Sequence, residues 1–264
     1  DGKTALMLAC SQGNIEIVMH LLNQGGKLGL KDRDNKSAFV YALIENKEDI
    51  VKFLLENVTY EVALNAKVNF EESCREITTN EKGAMKLLLN NWLCKKLIAK
   101  YKKEFPRGTP IVCACEKGRF EDVKLLITGY NDVNGSNGNN NNNMTLKEYV
   151  NQVGKDSGGY NRTPLMAAAR YEHFQIVKYL IEQGEADPNI ANSNGSNALH
   201  YAARYNTKDT KVIEFLLTNI PLTSINKKDR WGSTPLDHAY SNKSPIQQKI
   251  IDLIRSKGGK REEE

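Results

Sequence analysis

The residue types that most often carry out chemistry are sparse in this sequence. It contains four histidines, which are His20, His173, His200 and His238. Cys113 and Cys115 form a Cys-x-Cys pair, a spacing that could bind a metal ion. There is no glycine-rich phosphate loop, no His-Glu-x-x-His string and no Gly-x-Ser-x-Gly string. We therefore predict no catalytic residue, no metal ligand, no cofactor and no small-molecule substrate.

An internal repeat must position whatever residues carry the function. Six stretches share a pattern that starts at a threonine-like residue, and they begin at Thr4, Ser37, Thr109, Thr163, Asn197 and Thr234. Successive starts lie 33 residues apart in the first interval and 34 residues apart between Thr163 and Asn197. A valine recurs 14 residues after four of these starts, at Val18, Val51, Val123 and Val177. The chain is therefore built from copies of one unit.

Each copy has the pattern of two short helices and a connector. Small Ala or Cys residues in the first block let helices pack closely, and this accounts for Cys113 and Cys115 better than metal binding does. Ile, Val and Leu at helical spacing give the second block a buried stripe. Gly25, Gly184 and Gly258 follow second helices, where a left-handed residue ends a helix. A pair this small cannot bury its own apolar faces, so the copies must stack into a solenoid.

These motifs resemble the ankyrin-repeat family. The family unit runs as Gly-x-Thr-Pro-Leu-His-x-Ala-Ala, a glycine turn, a Val-Val-x-x-Leu-Leu helix and a Gly-Ala-Asp-x-Asn finger. The segment NRTPLMAAARYEHFQIVKYLIEQGEADPNIA follows it almost throughout, with Met166 in place of the histidine and Glu172 in place of the turn glycine. Only His200 retains the motif histidine, and the resemblance implies that it bonds locally within its repeat. The resemblance implies a mainly α solenoid with β-hairpin-like fingers.

We expect a single domain over 1–264 with about seven repeats. Their approximate bounds are 1–33, 34–66, 67–105, 106–158, 159–192, 193–229 and 230–258, followed by a frayed tail at 259–264. The third repeat is degenerate with an extra helix, because no threonine-like start precedes its second block. The fourth carries an insertion at 131–158 whose Asn-rich part has almost no apolar residue, so we expect a flexible loop. Leu146, Tyr149, Val150 and Val153 lie at helical spacing and predict a short helix, either transient or docked.

The resemblance implies that a protein or peptide partner meets the finger tips and the exposed ends of the first helices. Arg, Tyr and Trp often dominate interfaces, and the C-terminal half has collected them at those positions. The predicted partner-binding residues are Tyr160, Arg162, Arg170, Tyr171, Tyr201, Arg204, Tyr205, Arg230, Trp231, His238 and Asn242. Tyr171 and Tyr205 are equivalent residues in two neighbouring AARY tetrapeptides, and they contact either a partner or each other.

A basic segment supports an alternative function. Between Trp92 and Arg107 it contains Lys95, Lys96, Lys100, Lys102, Lys103 and Arg107 against a single acidic residue, Glu104. A basic helix with interspersed aromatic residues could bind nucleic acid or an anionic lipid surface. A solvated helix face explains the same pattern.

Bulk properties limit the remaining possibilities. Five cysteines without a disulfide framework suggest a reducing compartment, so we expect an intracellular, cytoplasmic protein. We also expect the protein to be monomeric. No apolar run approaches the length of a membrane-spanning helix. The sequence begins within a repeat, so a third interpretation is a regulatory fragment of a larger multidomain protein. The leading interpretation is a non-catalytic scaffold that presents a rigid groove.

Overall fold

The fold was examined in a computed structural model that describes residues 2–59, 62, 63, 65–67, 69, 80–135 and 144–264. The chain divides into two compact units, Asp1–Leu97 and Ile98–Glu264. The first unit contains α1 (Ala5–Gln12), α2 (Ile15–Asn23), α3 (Ala38–Ile44) and α4 (Glu48–Asn57). Within it α1 packs on α3 and α2 packs on α4, so the two helix pairs stack.

Helix α5 (Asn80–Glu104) follows and contains the boundary between the units. It is one helix of 25 residues, where the other copies have two short helices. The predicted degenerate repeat at 67–105 therefore contains a long helix in its described part. Residues 70–79 of that repeat lie outside the described residues.

The second unit contains four further helix pairs. Their bounds are α6 (Pro110–Glu116) and α7 (Phe120–Gly135), α9 (Pro164–Arg170) and α10 (Phe174–Glu182), α11 (Ala198–Tyr205) and α12 (Lys211–Asn219), and α14 (Pro235–Tyr240) and α15 (Gln247–Ser256). The first helices contact one another in chain order, and so do the second helices. The short helices α8 (Leu146–Asn151) and α13 (Leu222–Ile225) lie in the connections. Strands β1 (Gly154–Lys155) and β2 (Asn161–Arg162) form an antiparallel hairpin.

The threonine-like starts of the repeat are helix N-caps. The side chains of Thr4, Ser37, Thr163, Asn197 and Thr234 each accept the backbone N–H three residues later. These bonds satisfy amide groups that a helix start leaves without partners. Thr109 differs, because its hydroxyl instead accepts the N–H of Lys155 at 3.0 Å and ties β1 to α6. The small residues that follow, such as Ala168 and Ala202, are fully buried between first helices.

The turn between the two helices of a repeat needs a residue in the left-handed region. Gly13 and Gly118 supply it with φ values of 90° and 68°, and Glu172 adopts it with a φ of 61° although it is not glycine. The Glu172 carboxylate accepts the backbone N–H groups of Thr207 and Lys208 at 2.8 and 2.9 Å. These bonds join two repeats and offset the backbone strain at Glu172.

The structure differs from the predictions at the end of α10 and in the C-terminal tail. Gly25 and Gly258 are left-handed, but at the end of α10 the left-handed residue is Glu185 rather than Gly184. The tail at 259–264, predicted to be frayed, lies against the last repeat. There the Asp237 carboxylate accepts Arg261 Nε at 2.9 Å and the Glu262 N–H at 3.0 Å.

The second half of the predicted flexible insertion forms regular structure, while its Asn-rich residues 136–143 lie outside the described residues. Helix α8 is docked rather than transient. Val150 is fully buried, and the Tyr149 ring stacks on Tyr130 with centroids 4.1 Å apart. Asn151 donates to the Glu185 carbonyl at 2.9 Å and accepts the Asp187 N–H at 2.7 Å. These contacts with the next repeat stabilise a helix too short to be stable alone.

The hairpin after α8 is anchored by Glu116 at the end of α6. The Glu116 carboxylate accepts the Ser157 hydroxyl at 2.6 Å and the Ser157 N–H at 2.7 Å. Burial alone would raise the pKa of Glu116, but these bonds and the Lys117 ammonium lower it below 4.5.

We expect Glu116→Gln to lower the free energy of unfolding by about 1–2 kcal/mol at pH 7, because the amide makes weaker hydrogen bonds than the carboxylate. A carboxyl group whose pKa is lowered by folding contributes stability above its unfolded pKa, and this contribution is lost as the pH falls through the folded pKa. The loss of stability below pH 4.5 is therefore expected to be shallower in the variant. Urea unfolding at several pH values measures both effects. Equal acid slopes in the two proteins would contradict this role of Glu116.

Candidate partner-binding groove

The first helices and fingers of the second unit enclose a cavity of about 520 Å³, which we call the aromatic cavity. Eight of the eleven predicted partner-binding residues line it, and these are Tyr160, Arg162, Arg170, Tyr201, Arg204, Tyr205, Trp231 and His238. Asn194, Ser196, His200, Asp229 and Ser233 complete the lining. A cavity of this size with aromatic walls and a few polar groups is a typical binding site.

Three predicted residues do not line the aromatic cavity. Tyr171 and Arg230 are exposed beside it. Asn242 differs from the prediction, because only 1% of it is exposed and little of its surface is accessible to a partner. Its amide donates to the carbonyls of Ala203 and Asn206, both at 2.9 Å, so it closes the end of α11 from the next repeat.

A recurring hydrogen bond joins three of the described fingers to a side chain nine residues later on the following first helix. Asp229 Oδ2 lies 2.8 Å from His238 Nε2, Asn192 donates to the Tyr201 hydroxyl at 2.9 Å, and the Tyr41 hydroxyl donates to Asp32 at 2.6 Å. In each of these three finger residues Oδ1 accepts two backbone N–H groups of the finger turn. The fingers are thereby held rigid against the helices. Sequence reasoning missed Asp32, Asn192 and Asp229, although their constant spacing of nine residues was visible.

Arg162 is a buried cation at one wall of the aromatic cavity. Its guanidinium pairs with the Asp156 carboxylate, and the exposed fractions of the two side chains are 6% and 2%. The same guanidinium lies 5.1 Å from the ring centroids of both Tyr160 and Tyr201. Arg162 therefore positions two aromatic rings of the cavity, and Tyr160 remains 66% exposed.

The two tyrosines of the AARY tetrapeptides are separated by an arginine. The Arg170 guanidinium lies 3.6 Å from the Tyr205 ring centroid and 5.5 Å from that of Tyr171. Tyr205 stacks with Tyr201, and Tyr171 stacks with His173. Burial alone would raise the pKa of Tyr205, but the Arg170 hydrogen bond and the nearby arginine charges lower it. The tyrosines are thus held by cation–π contacts, with 40% of Tyr171 and 38% of Tyr205 exposed.

Trp231 also lines the aromatic cavity and projects from the last finger. It is 60% exposed, and the Arg230 guanidinium lies 4.3 Å from its ring centroid. Among the described residues, no carboxylate forms an ion pair with Arg170, Arg204 or Arg230. The cavity rim therefore combines large exposed rings with positive charge that the described residues do not neutralise by pairing.

His200, Asp229 and His238 meet at the floor of the aromatic cavity. The His200 and His238 ring centroids are 5.2 Å apart, and His200 Nε2 lies 3.3 Å from the Ser233 carbonyl. Burial lowers the pKa of His200 to about 4, with a further contribution from His238, so the ring is neutral at pH 7. No sequence motif brings these three residues together.

The four cysteines that the structure describes lie in the core. Cys113 and Cys115 are fully buried in α6, and burial raises the pKa of the Cys113 thiol to about 11. Thiols of this kind are poor nucleophiles at neutral pH. Their positions agree with a packing role for the Cys-x-Cys pair.

The basic segment shows a solvated helix face. Lys95, Lys96, Lys100, Lys102, Lys103 and Arg107 are all exposed. The apolar residues between them face inwards, since Leu97 and Tyr101 are fully buried and the Tyr101 hydroxyl donates to Asp122 at 2.8 Å. Tyr101 is therefore not accessible for stacking on nucleobases, which is how many proteins bind single strands. Among the described residues, no helix is both long and apolar enough to cross a membrane.

Stacked helix pairs joined by fingers define a helical repeat protein. A family model described as ankyrin repeats (3 copies) matches residues 1–67, 80–189, 138–229 and 184–260. The chain therefore belongs to the ankyrin-repeat family. Ankyrin repeats generally act as protein–protein interaction modules and are typically non-enzymatic.

Similar proteins share part of their length with this chain. The chain is 26% identical to alpha-latroinsectotoxin-Lt1a of Latrodectus tredecimguttatus, over 82% of the chain and 19% of the toxin. It is 34% identical to palmitoyltransferase AKR1 of Lachancea kluyveri, over 33% of the chain and 14% of that protein. The human ASB11 ankyrin repeat domain matches 95% of the chain and 98% of its own length, with 21% identity and a TM-score of 0.44. The chain thus spans less than a fifth of the length of the toxin and of the palmitoyltransferase.

Proposed function

We propose that the aromatic cavity binds a protein segment that carries acidic side chains. The observation that carries this proposal is a concave surface of Tyr160, Tyr205 and Trp231, where Arg170 stacks on Tyr205 and Arg230 on Trp231 and neither arginine pairs with a carboxylate among the described residues. Aromatic rings supply rigid apolar area, and Arg170 and Arg204 supply hydrogen-bond donors for carboxylates.

Rigidity supports the same proposal. The fingers are fixed to the first helices by the hydrogen bonds of Asn192 and Asp229, and the rings are fixed by Arg162 and Arg170. A surface that is ordered before binding loses little conformational entropy when a partner binds. The function is then that of a non-catalytic scaffold whose specificity lies in the side chains of one cavity.

Selection from a displayed library of random peptides tests the proposal. We expect the selected peptides to be enriched in Asp and Glu, and their binding to weaken as the salt concentration rises. In fluorescence anisotropy, Tyr205→Ala and Trp231→Ala are each expected to weaken binding about 30-fold, which corresponds to about 2 kcal/mol for an interface hot spot.

Tyr171→Ala is the matched control, because Tyr171 is as exposed as Tyr205 but does not line the aromatic cavity. It is expected to change the affinity much less than Tyr205→Ala does. Peptides without acidic residues, or equal affinities for all three variants, would refute the proposal. Loss of binding on Lys102→Gln and Lys103→Gln, with none on Tyr205→Ala, would place the binding surface on the basic segment instead.

A further inference from the structure

Three side chains from different elements converge at the floor of the aromatic cavity. His200 lies in the first turn of α11, Asp229 lies in the last finger and His238 lies in α14. One ligand atom from each residue lies within 4.8 Å of the other two. The exposed fraction is 1% for His200, and it is 1% and 12% for the side chains of Asp229 and His238.

We propose that His200, Asp229 and His238 form a binding site for a divalent transition-metal ion of the Zn²⁺ type. Imidazole nitrogen and carboxylate oxygen are common zinc ligands, and three protein ligands with one open position are typical of accessible zinc sites. All three residues line the aromatic cavity, so the fourth position faces its interior and is available to water. This inference does not depend on the proposed peptide binding.

Asn197 holds the His200 ring through its Nδ1. Asn197 Nδ2 donates to the Ser224 carbonyl at 3.0 Å, which turns Asn197 Oδ1 towards His200. Oδ1 lies 2.7 Å from His200 Nδ1, closer than the Asn197 N–H at 3.1 Å. His200 Nδ1 also accepts the Asn197 N–H in the capping box of α11, and Nε2 faces the Ser233 carbonyl at 3.3 Å. Zn²⁺ at Nε2 requires the tautomer whose proton is on Nδ1, and Asn197 Oδ1 at 2.7 Å can accept that proton.

The other two ligands are oriented in a similar way. Asp229 Oδ1 accepts the N–H groups of Trp231 and Ser233, which leaves Oδ2 directed at His238. His238 Nδ1 is buried and makes no hydrogen bond to a described residue. When a metal ion replaces the proton between His238 Nε2 and Asp229 Oδ2, this proton moves to Nδ1 or to solvent. Asp229 thus has the fixed outer contacts that orient a metal ligand, whereas His238 is held through its bond to Asp229 Oδ2.

The equivalent helix–finger bonds of other repeats do not bring zinc ligands together, so the cluster around Asp229 does more than hold a finger in place. The same helix–finger hydrogen bond is made by Tyr41 with Asp32 and by Tyr201 with Asn192. A neutral tyrosine hydroxyl preserves the fold but is a poor zinc ligand. Only the finger of Asp229 combines a carboxylate with two imidazoles among the described residues.

The sister repeats also supply variants that keep the fold. His238→Tyr reproduces the Tyr41–Asp32 bond. His200→Met reproduces the helix start at Thr163, whose N–H donates to Met166 Sδ at 3.4 Å. His20→Ala is the matched control, because His20 is an exposed histidine distant in sequence from the cluster.

Isothermal titration with ZnCl₂ and visible absorption with Co²⁺ test the site. We expect the wild-type chain and His20→Ala to bind one more equivalent of Zn²⁺ than His238→Tyr and His200→Met do. The visible Co²⁺ bands are expected in the first two proteins alone. The unfolding midpoint of the wild type is expected to rise with Zn²⁺ concentration, because the ion binds only the folded site.

The proposal is overturned if His238→Tyr folds as the wild type does, by circular dichroism, and binds the same number of Zn²⁺ equivalents. It is also overturned if the wild-type chain binds no equivalent at all. Neither result affects the peptide selection, so failure of this site and failure of the proposed function are distinguishable.

Discussion

Replacing Arg162 with leucine is expected to lower the free energy of unfolding by about 3–5 kcal/mol, because it leaves a buried carboxylate without its cation. Asp156 is the residue affected, with 2% of its side chain exposed. Its Oδ1 accepts the N–H groups of Gly158 and Tyr160, so the charge is fixed in place and cannot turn to solvent. Urea unfolding at neutral pH measures the loss.

A double variant separates charge burial from lost packing. In Arg162→Leu combined with Asp156→Asn, no uncompensated charge remains and the amide oxygen still accepts the turn N–H groups, so much of the stability is expected to return. The matched control is Lys52→Leu. Lys52 also forms an ion pair, with Glu48, but both side chains are more than half exposed, so little change is expected.

The double variant also tests the aromatic cavity. Arg162 lies over Tyr160 and Tyr201, so its loss removes the cation that holds both rings. A folded double variant with weakened peptide binding is the expected result. If Arg162→Leu alone unfolds no more easily than Lys52→Leu, the Arg162–Asp156 pair does not hold the hairpin.

The helices of this fold were predictable because their signals are local. A threonine-like N-cap and small residues at fixed offsets lie within about ten residues of each other, as at Thr163 and Ala168. The same periodicity explained the cysteines of α6, which are buried as their sister alanines are. The left-handed turn at Glu172 could not be predicted from local residues, because the repeat usually has glycine there. The N–H groups that stabilise it belong to Thr207 and Lys208, which lie 35 and 36 residues away.

The site was predictable only in part, for a related reason. Helix ends and finger tips placed Tyr205 and Trp231 at a surface, and they line one cavity. The cluster of His200, Asp229 and His238 depends on how adjacent repeats stack, which no single repeat encodes. Docking of α8 likewise depends on the partners that Val150 and Tyr149 find in space.

Replacing Asn242 with alanine is expected to lower the free energy of unfolding by about 2–3 kcal/mol, since two buried hydrogen bonds and one partly buried one lose their partner at about 1 kcal/mol each. The Asn242 amide donates to the carbonyls of Ala203 and Asn206, and its oxygen accepts the Ser244 N–H at 2.8 Å. A methyl group satisfies none of these three groups.

The same variant decides between the two roles of Asn242, partner contact and interior bridge between repeats. An interior role predicts lower stability and an unchanged affinity for the selected peptides below the unfolding transition. Asn219→Ala is the matched control, because Asn219 makes a similar bond to the Phe215 carbonyl at 2.7 Å but is exposed, so water replaces the amide. We expect it to change stability by less than about 0.5 kcal/mol. An Asn242→Ala protein that keeps its stability but loses the peptide would show that this residue belongs to the binding surface after all.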